Sequence, residues 1–266
     1  MDAPATHVLP VRDLIGDANL LDDPGFQAFS DCQVKCGDKV WYLHKNIVCV
    51  RSKFFRVALM GDFEESKTGI IELNEFKAED LDIVIRFIYT KNVAHIPDPT
   101  ARSTFTKFLE FHELCLHIWA IGDYLNLGEM CRQVTCRMFN MNHLIRDRSK
   151  EVGAVEFLDD KVWVNKLVEV AKLAYIDLPS VDAQATPRYD VGPQVPIREL
   201  VVSSPALFKD DYGLFDRLHV VPGFLVDTIK ALHDERKKGW PRVLDADGDV
   251  LLAPIGSGRH RRVGDV

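Results

Sequence analysis

The stretch FSDCQVKCGDKVWYLHKNIVCVRSKFF, residues 29–55, decides the fold. Cys32, Val34 and Cys36 alternate with Gln33 and Lys35, the period-two pattern of a strand with one apolar face. Gly37-Asp38 predicts a tight turn, and Val40 to Leu43 predicts the return strand of a hairpin spanning residues 31–43. The period then changes to helical. Asn46 to Val50 predicts a short apolar turn, the first member of a helical pair. Ser52 predicts the cap of the second member, Lys53 to Met60, because its hydroxyl can accept from a free backbone N–H at a helix start. Gly61 is placed to end that helix.

Downstream, Ile70 to Leu73 predicts a short strand. Leu81, Val84, Ile85 and Ile88 form a helical stripe over Ala78 to Tyr89, with Glu79-Asp80 near its positive end. Lys91 to Ser103 predicts a loop, with a short strand at Val93. A long helix over Thr106 to Leu125, a turn at Gly128 and a helix over Glu129 to Asn140 predict an antiparallel pair. Arg146 to Lys150 is a polar seam and the expected internal boundary. Beyond it, Trp163, Leu167, Val170 and Ala174 share a helical face, residues 177–196 carry four prolines and predict a loop, Ile197 to Ser203 predicts a short helix, and Pro222 opens another that runs to about Glu235. Upstream, Val11, Leu14, Ile15 and Ala18 give a short leader helix one apolar face, and Pro24-Gly25 breaks the chain. The expected organisation is a leader at 1–24, a first domain at 25–143, a helical region at 144–235 and a loose tail at 236–266.

Composition narrows the function classes. The chain has 266 residues and a formal charge of −7. Nucleic-acid affinity rests on Lys and Arg neutralising phosphates, so no nucleic-acid partner is expected. No apolar run approaches the ~20 residues of a membrane span, so no membrane partner is expected. No secretory pattern opens the sequence, and the six cysteines are expected as reduced, mostly buried thiols of a cytoplasmic or nuclear protein.

Catalytic and metal chemistry find no support. His112 and His117 lie five residues apart, about 140° around a helix, so they do not grip one metal as an i, i+4 pair does. They are expected as surface or half-buried side chains. Cys32 and Cys36 share a strand face but are separated by ~13 Å, and Cys131 and Cys136 point to different helix faces. His44 lacks a serine or cysteine elbow beside it and is expected as a half-buried residue bonded to backbone or a carboxylate. Gly256-Ser257-Gly258 lacks the ending of a phosphate loop, and Arg259, Arg261 and Arg262 are expected in a solvated tail. No catalytic residue, metal or cofactor is expected.

The order hairpin, helix pair, strand, helix, helix pair resembles the BTB/POZ family over residues 27–140. The resemblance is carried by Ser30-Asp31 before the first strand, His44-Lys45 after the second, and Ser52 with Phe54-Phe55 opening the next helix. Phe63-Glu64-Glu65, Ile71-Glu72-Leu73, the run Arg86 to Thr90 and the run Ala120 to Leu125 continue it. Lys91 stands where the family usually has glycine. Tyr175 and the run Ile197 to Val202 resemble the C-terminal part of filamentous-fungal BTB proteins. The resemblance implies an α/β (α+β) fold, a small sheet flanked by helices, followed by a mostly helical C-terminal extension. It makes Asp31, His44, Ser52, Phe55 and Tyr89 structural residues.

The resemblance also implies a non-catalytic protein-interaction module, associating as a homodimer or with another protein. Val11, Leu14, Ile15 and Ala18 then contribute to self-association, or cover their own chain's core. The alternative is a substrate adaptor of a cullin-type ubiquitin ligase, in which Phe63, Glu64 and Glu65 meet the cullin scaffold. Phe63 has two uses: an anchor for a partner, or, the preferred expectation, a core side chain folded back among solvated carboxylates.

Overall fold

The computed structural model describes residues 21–99, 103–151, 162–178, 192–202, 213–234, 243–244 and 250–251. The leader stripe, the segment 179–191 of the proline-rich loop, and the Gly256–Arg262 motifs lie outside them.

A short helix α1 (Pro24–Gln27), capped by the Asp23 carboxylate, leads into the hairpin β1 (Cys32–Cys36) and β2 (Lys39–Leu43). Cys32 pairs with Leu43 and Cys36 with Lys39. Cys32, Val34 and Cys36 are buried as the alternation requires. Helices α2 (Lys45–Arg51), α3 (Lys53–Met60) and α4 (Glu64–Thr68) return the chain so that β3 (Ile70–Glu72) adds parallel to β1, giving the sheet order β2-β1-β3. The apolar turn expected at Asn46 is thus the full helix α2, and α4 was not foreseen.

Helix α5 (Ala78–Thr90) buries the expected stripe against α6 (Phe105–Tyr124). Its C-terminal cap, Lys91, holds a left-handed backbone at φ 57°. That is the conformation the family's glycine adopts without strain, so the departure noted in the sequence has a cost. Val93 is buried in a loop and not in a strand, held by Arg137, which donates to the Val93 and Ile96 carbonyls and pairs with Asp98.

Helix α7 is Gly128–Glu151. Gly128 is its first residue; the turn sits at Asn126, whose backbone is left-handed. Gly122 lets the two helices close: a Cβ there would meet the Cys131 sulfur at 3.1 Å. The expected seam does not interrupt α7, because Arg146 to Lys150 contains no proline or glycine to break it. Helix α8 (Val162–Lys172) continues as a π-turn to Asp177, and α9 (Gln194–Val202), α10 (Leu214–Leu218) and α11 (Pro222–Asp234) follow. One apolar core runs from Leu21 to Phe224. Trp163 of α8 meets Phe105 of α6 edge-on at 5.6 Å. Within the stretch expected as a loose tail, β4 (Val243–Leu244) pairs with β5 (Val250–Leu251).

The fold is therefore α+β, a small sheet flanked by helices with a helical extension. Among the described residues no helix is long and apolar enough to cross a membrane.

Candidate partner-binding surface

Helix α3 is fixed by its ends. Ser52 is fully buried, accepts from the Phe55 N–H at 3.2 Å, and donates to the Leu125 carbonyl at 2.6 Å. One hydroxyl caps α3 and ties it to the end of α6. Phe55 and Leu59, four residues apart, face the core. Phe54 meets Tyr124 at 5.2 Å, and Tyr124 meets Phe76 at 5.3 Å. Gly61 ends the helix as expected, but with extended backbone. Glycine is needed there because a Cβ would lie 2.5 Å from the Val57 carbonyl oxygen.

Opposite the core face, Val57, Met60 and Phe63 are 47%, 70% and 55% exposed. The preferred core reading of Phe63 is thus corrected. Its backbone is extended at the N-terminus of α4, and its ring lies over Gly61, where a Cβ would meet Phe63 Cδ2 at 3.3 Å. Glu64 and Glu65 form the first turn of α4, where the positive helix end favours carboxylates. Phe63, Glu64 and Glu65 therefore sit together at one edge of an apolar row. Val57 and Met60 were missed in the sequence. The signal was present: six of the eight residues of Lys53–Met60 are apolar, more than one buried face of so short a helix requires.

The five residues Asp31, His44, Ser52, Phe55 and Tyr89 make bonds within and between the hairpin and helices α2, α3 and α5. Asp31 accepts from the Lys45 N–H at 2.7 Å, joining hairpin to helix. His44 is buried. Its Nε2–H donates to the Phe26 carbonyl at 3.1 Å, and its Nδ1 accepts from the Tyr89 hydroxyl at 3.0 Å. The same Tyr89 oxygen accepts from the His44 backbone N–H. Both ring nitrogens are occupied, as the structural reading of His44 requires, though a phenol takes the place of the expected carboxylate. Burial pushes the Tyr89 phenol well above its ordinary value.

The other sequence candidates do not converge on this surface. His112 is fully buried, not surface or half-buried. Its Nδ1 lies 2.7 Å from the Phe108 carbonyl and its Nε2 2.8 Å from the Asn142 amide oxygen, while the Asn142 amide donates to the Pro196 carbonyl at 2.8 Å. This relay joins α6, α7 and α9. His117 instead meets Asp80 at 3.3 Å. Among the described residues no group of three or more His, Cys, Asp or Glu side chains is placed to hold a metal. All six cysteines are free thiols, and all but Cys136 are buried. Burial, with Asp31 and Cys49 nearby, pushes Cys32 up to about 12, which suppresses its thiolate.

What the frame and the exposed row define is a scaffold that presents a surface. The family model for the BTB/POZ domain matches residues 21–119. That part of the chain is a BTB/POZ domain, a protein-interaction module. The chain is 25% identical to zinc finger and BTB domain-containing protein 44 of Xenopus tropicalis over 41% of its own length and 25% of that protein's. It is 25% identical to BTB/POZ and MATH domain-containing protein 3 of Arabidopsis thaliana over 52% and 33%, and 31% identical to Kelch-like protein 41 of Mus musculus over 24% and 11%. The chain spans a third or less of the length of these relatives.

Proposed function

We propose that this chain is a non-catalytic protein-interaction module that associates, with itself or with a second protein, through its BTB/POZ domain. The observation that carries the reading is that Val57 and Met60 stand in solvent on a well-capped helix, with Phe63 exposed just beyond its end. Contiguous exposed apolar side chains are characteristic of surfaces that dock a partner. The BTB unit is assigned to residues 25–143 and the helical region to 144–235, with the leader stripe Val11, Leu14, Ile15 and Ala18 as a second contributor to pairing. Six free thiols support a reducing compartment, the cytoplasm or nucleus. Light-scattering mass tests the reading. The full chain is expected to be larger than a monomer, and removal of residues 1–24 to weaken association. A dimer unchanged by the truncation removes only the leader's role.

The second reading is a substrate adaptor of a cullin-type ubiquitin ligase. The exposure of Phe63 favours it, because a solvent-facing aromatic flanked by carboxylates can fill a partner's pocket while the charges set orientation. Phe63→Ala and Glu65→Lys should each abolish capture of a cullin scaffold from a host extract, with the melting temperature nearly unchanged. Failure of the unaltered chain to capture any cullin ends this reading and leaves the first intact.

A further inference from the structure

Away from the α3 surface, the approach to α5 carries a lysine in a distinctive setting. Phe76-Lys77-Ala78-Glu79 places an apolar residue before a lysine and a glutamate two positions after it. No other lysine of the chain is flanked in this way; Phe208-Lys209-Asp210-Asp211 comes nearest, with aspartate for glutamate. Lys77 and Glu79 are exposed, and Phe76 is half-buried. Lys77 is the N-cap of α5 with extended backbone, φ −77° and ψ 134°, and its side chain makes no cap bond. Neither Lys77 nor Glu79 has an ion-pair partner among the described residues. The main chain around them is held. The Asn74 side-chain oxygen accepts from the Gly37 N–H at 3.0 Å, and the Phe76 carbonyl accepts from the Cys36 thiol at 3.2 Å. The Phe76 ring meets Tyr124 at 5.3 Å. Lys77 thus stands out from an ordered segment, which lowers the entropy that a binding enzyme has to remove.

We propose that Lys77 is a modification site, the acceptor of an isopeptide bond to a small ubiquitin-like modifier. A conjugating enzyme presents that modifier as a thioester on its own cysteine. The neutral Lys77 amine attacks the thioester carbonyl. The carbon–nitrogen bond forms, the carbon–sulfur bond breaks, the cysteine leaves as thiolate, and the proton of the amine passes to solvent. The flanking residues divide the recognition. Phe76 offers apolar area beside the amine. Glu79 offers a carboxylate that pairs with a cation near the enzyme's cysteine and sets orientation. Alternation along an extended chain puts Lys77 and Glu79 on one side. Ala78 and Glu79 are helical here, so the first turn of α5 has to open, beginning with the Leu81 N–H bond to the Lys77 carbonyl at 3.0 Å. Helix ends fray, so this is the part of α5 that opens most readily. The inference does not depend on what the α3 surface binds.

The test is conjugation of the folded full chain with purified activating enzyme, conjugating enzyme, small ubiquitin-like modifier and ATP, read by tandem mass spectrometry of tryptic peptides. The isopeptide bond is expected on Lys77. Lys77→Arg keeps the charge and should abolish conjugation with the melting temperature unchanged. Glu79→Gln should slow conjugation by about tenfold, with Glu79→Asp restoring part of the rate. Melting curves of both Glu79 variants separate a recognition effect from a frayed helix, since each is compared at a temperature where it is fully folded. Lys209→Arg should leave the rate as it is. Absence of conjugation to the unaltered chain, or conjugation that survives Lys77→Arg, overturns the proposal. So does a Glu79→Gln chain modified as fast as the unaltered one, because Lys77 would then react as any exposed lysine does. None of these outcomes bears on the association reading, which is measured by mass.

Discussion

Replacing Asn142 by alanine should be among the most damaging single changes outside the apolar core, although Asn142 touches no proposed surface. Its amide oxygen faces His112 Nε2 at 2.8 Å and its amide donates to the Pro196 carbonyl at 2.8 Å. Truncation removes both bonds and strands two buried polar groups. An orphaned buried donor or acceptor costs about 1–3 kcal/mol, so the loss should be about 2–6 kcal/mol once both are counted. That is a large share of a total stability of about 5–15 kcal/mol. Urea denaturation measures it, with Asn140→Ala as the control: Asn140 is exposed on the same helix and its loss should stay within about 0.5 kcal/mol. Because the relay is a polar link from α6 and α7 to α9, amide hydrogen exchange in 194–202 should also accelerate. A loss below about 1 kcal/mol with unchanged exchange in α9 would mean that the relay does not hold α9 to the core.

Ser52→Ala should cost about 2–3 kcal/mol by urea denaturation, from one lost helix cap and one stranded carbonyl at Leu125. Lys91→Gly should stabilise the protein by about 1 kcal/mol, by relieving a left-handed backbone that lysine tolerates poorly; a lower melting temperature would contradict that. Burial holds the His112 imidazole below its ordinary value, against the pull of the Phe108 and Asn142 oxygens. A depressed histidine gives stability that is present above the ordinary value of about 6.5 and is lost as pH falls toward the depressed value, because the unfolded chain takes up the proton first. Stability of the unaltered chain minus that of His112→Gln should therefore decline as pH drops below about 6.5, and a flat difference would contradict the assignment.

The secondary elements that carry the BTB/POZ domain were legible because local physics determines them. The alternation at Cys32, Val34 and Cys36 and the stripe at Leu81, Val84, Ile85 and Ile88 each report a buried face directly. Ser52 was legible as a cap, but its second bond to Leu125 spans 73 residues, and no local pattern encodes it. Gly61 and Gly128 show the limit of reading punctuation. One ends a helix through close approach to a carbonyl, and the other begins one while Asn126 makes the turn. The seam at Arg146 to Lys150 looked like a boundary because it is polar, yet polarity alone does not stop a helix. His112 could not be placed, since its partners Asn142 and Pro196 come from α7 and α9 and only tertiary packing buries it. At the candidate surface the motif Phe63-Glu64-Glu65 was visible, but whether the ring turned inward is a matter of tertiary packing that no local pattern encodes.

Association through the BTB/POZ domain can be read from sedimentation of the unaltered full chain over a wide concentration range. A reversible monomer–dimer equilibrium is expected, with the dimer dominant at high concentration and lost in Met60→Asp. A single species of monomer mass at every concentration, with no protein partner retained from a host extract, would contradict it.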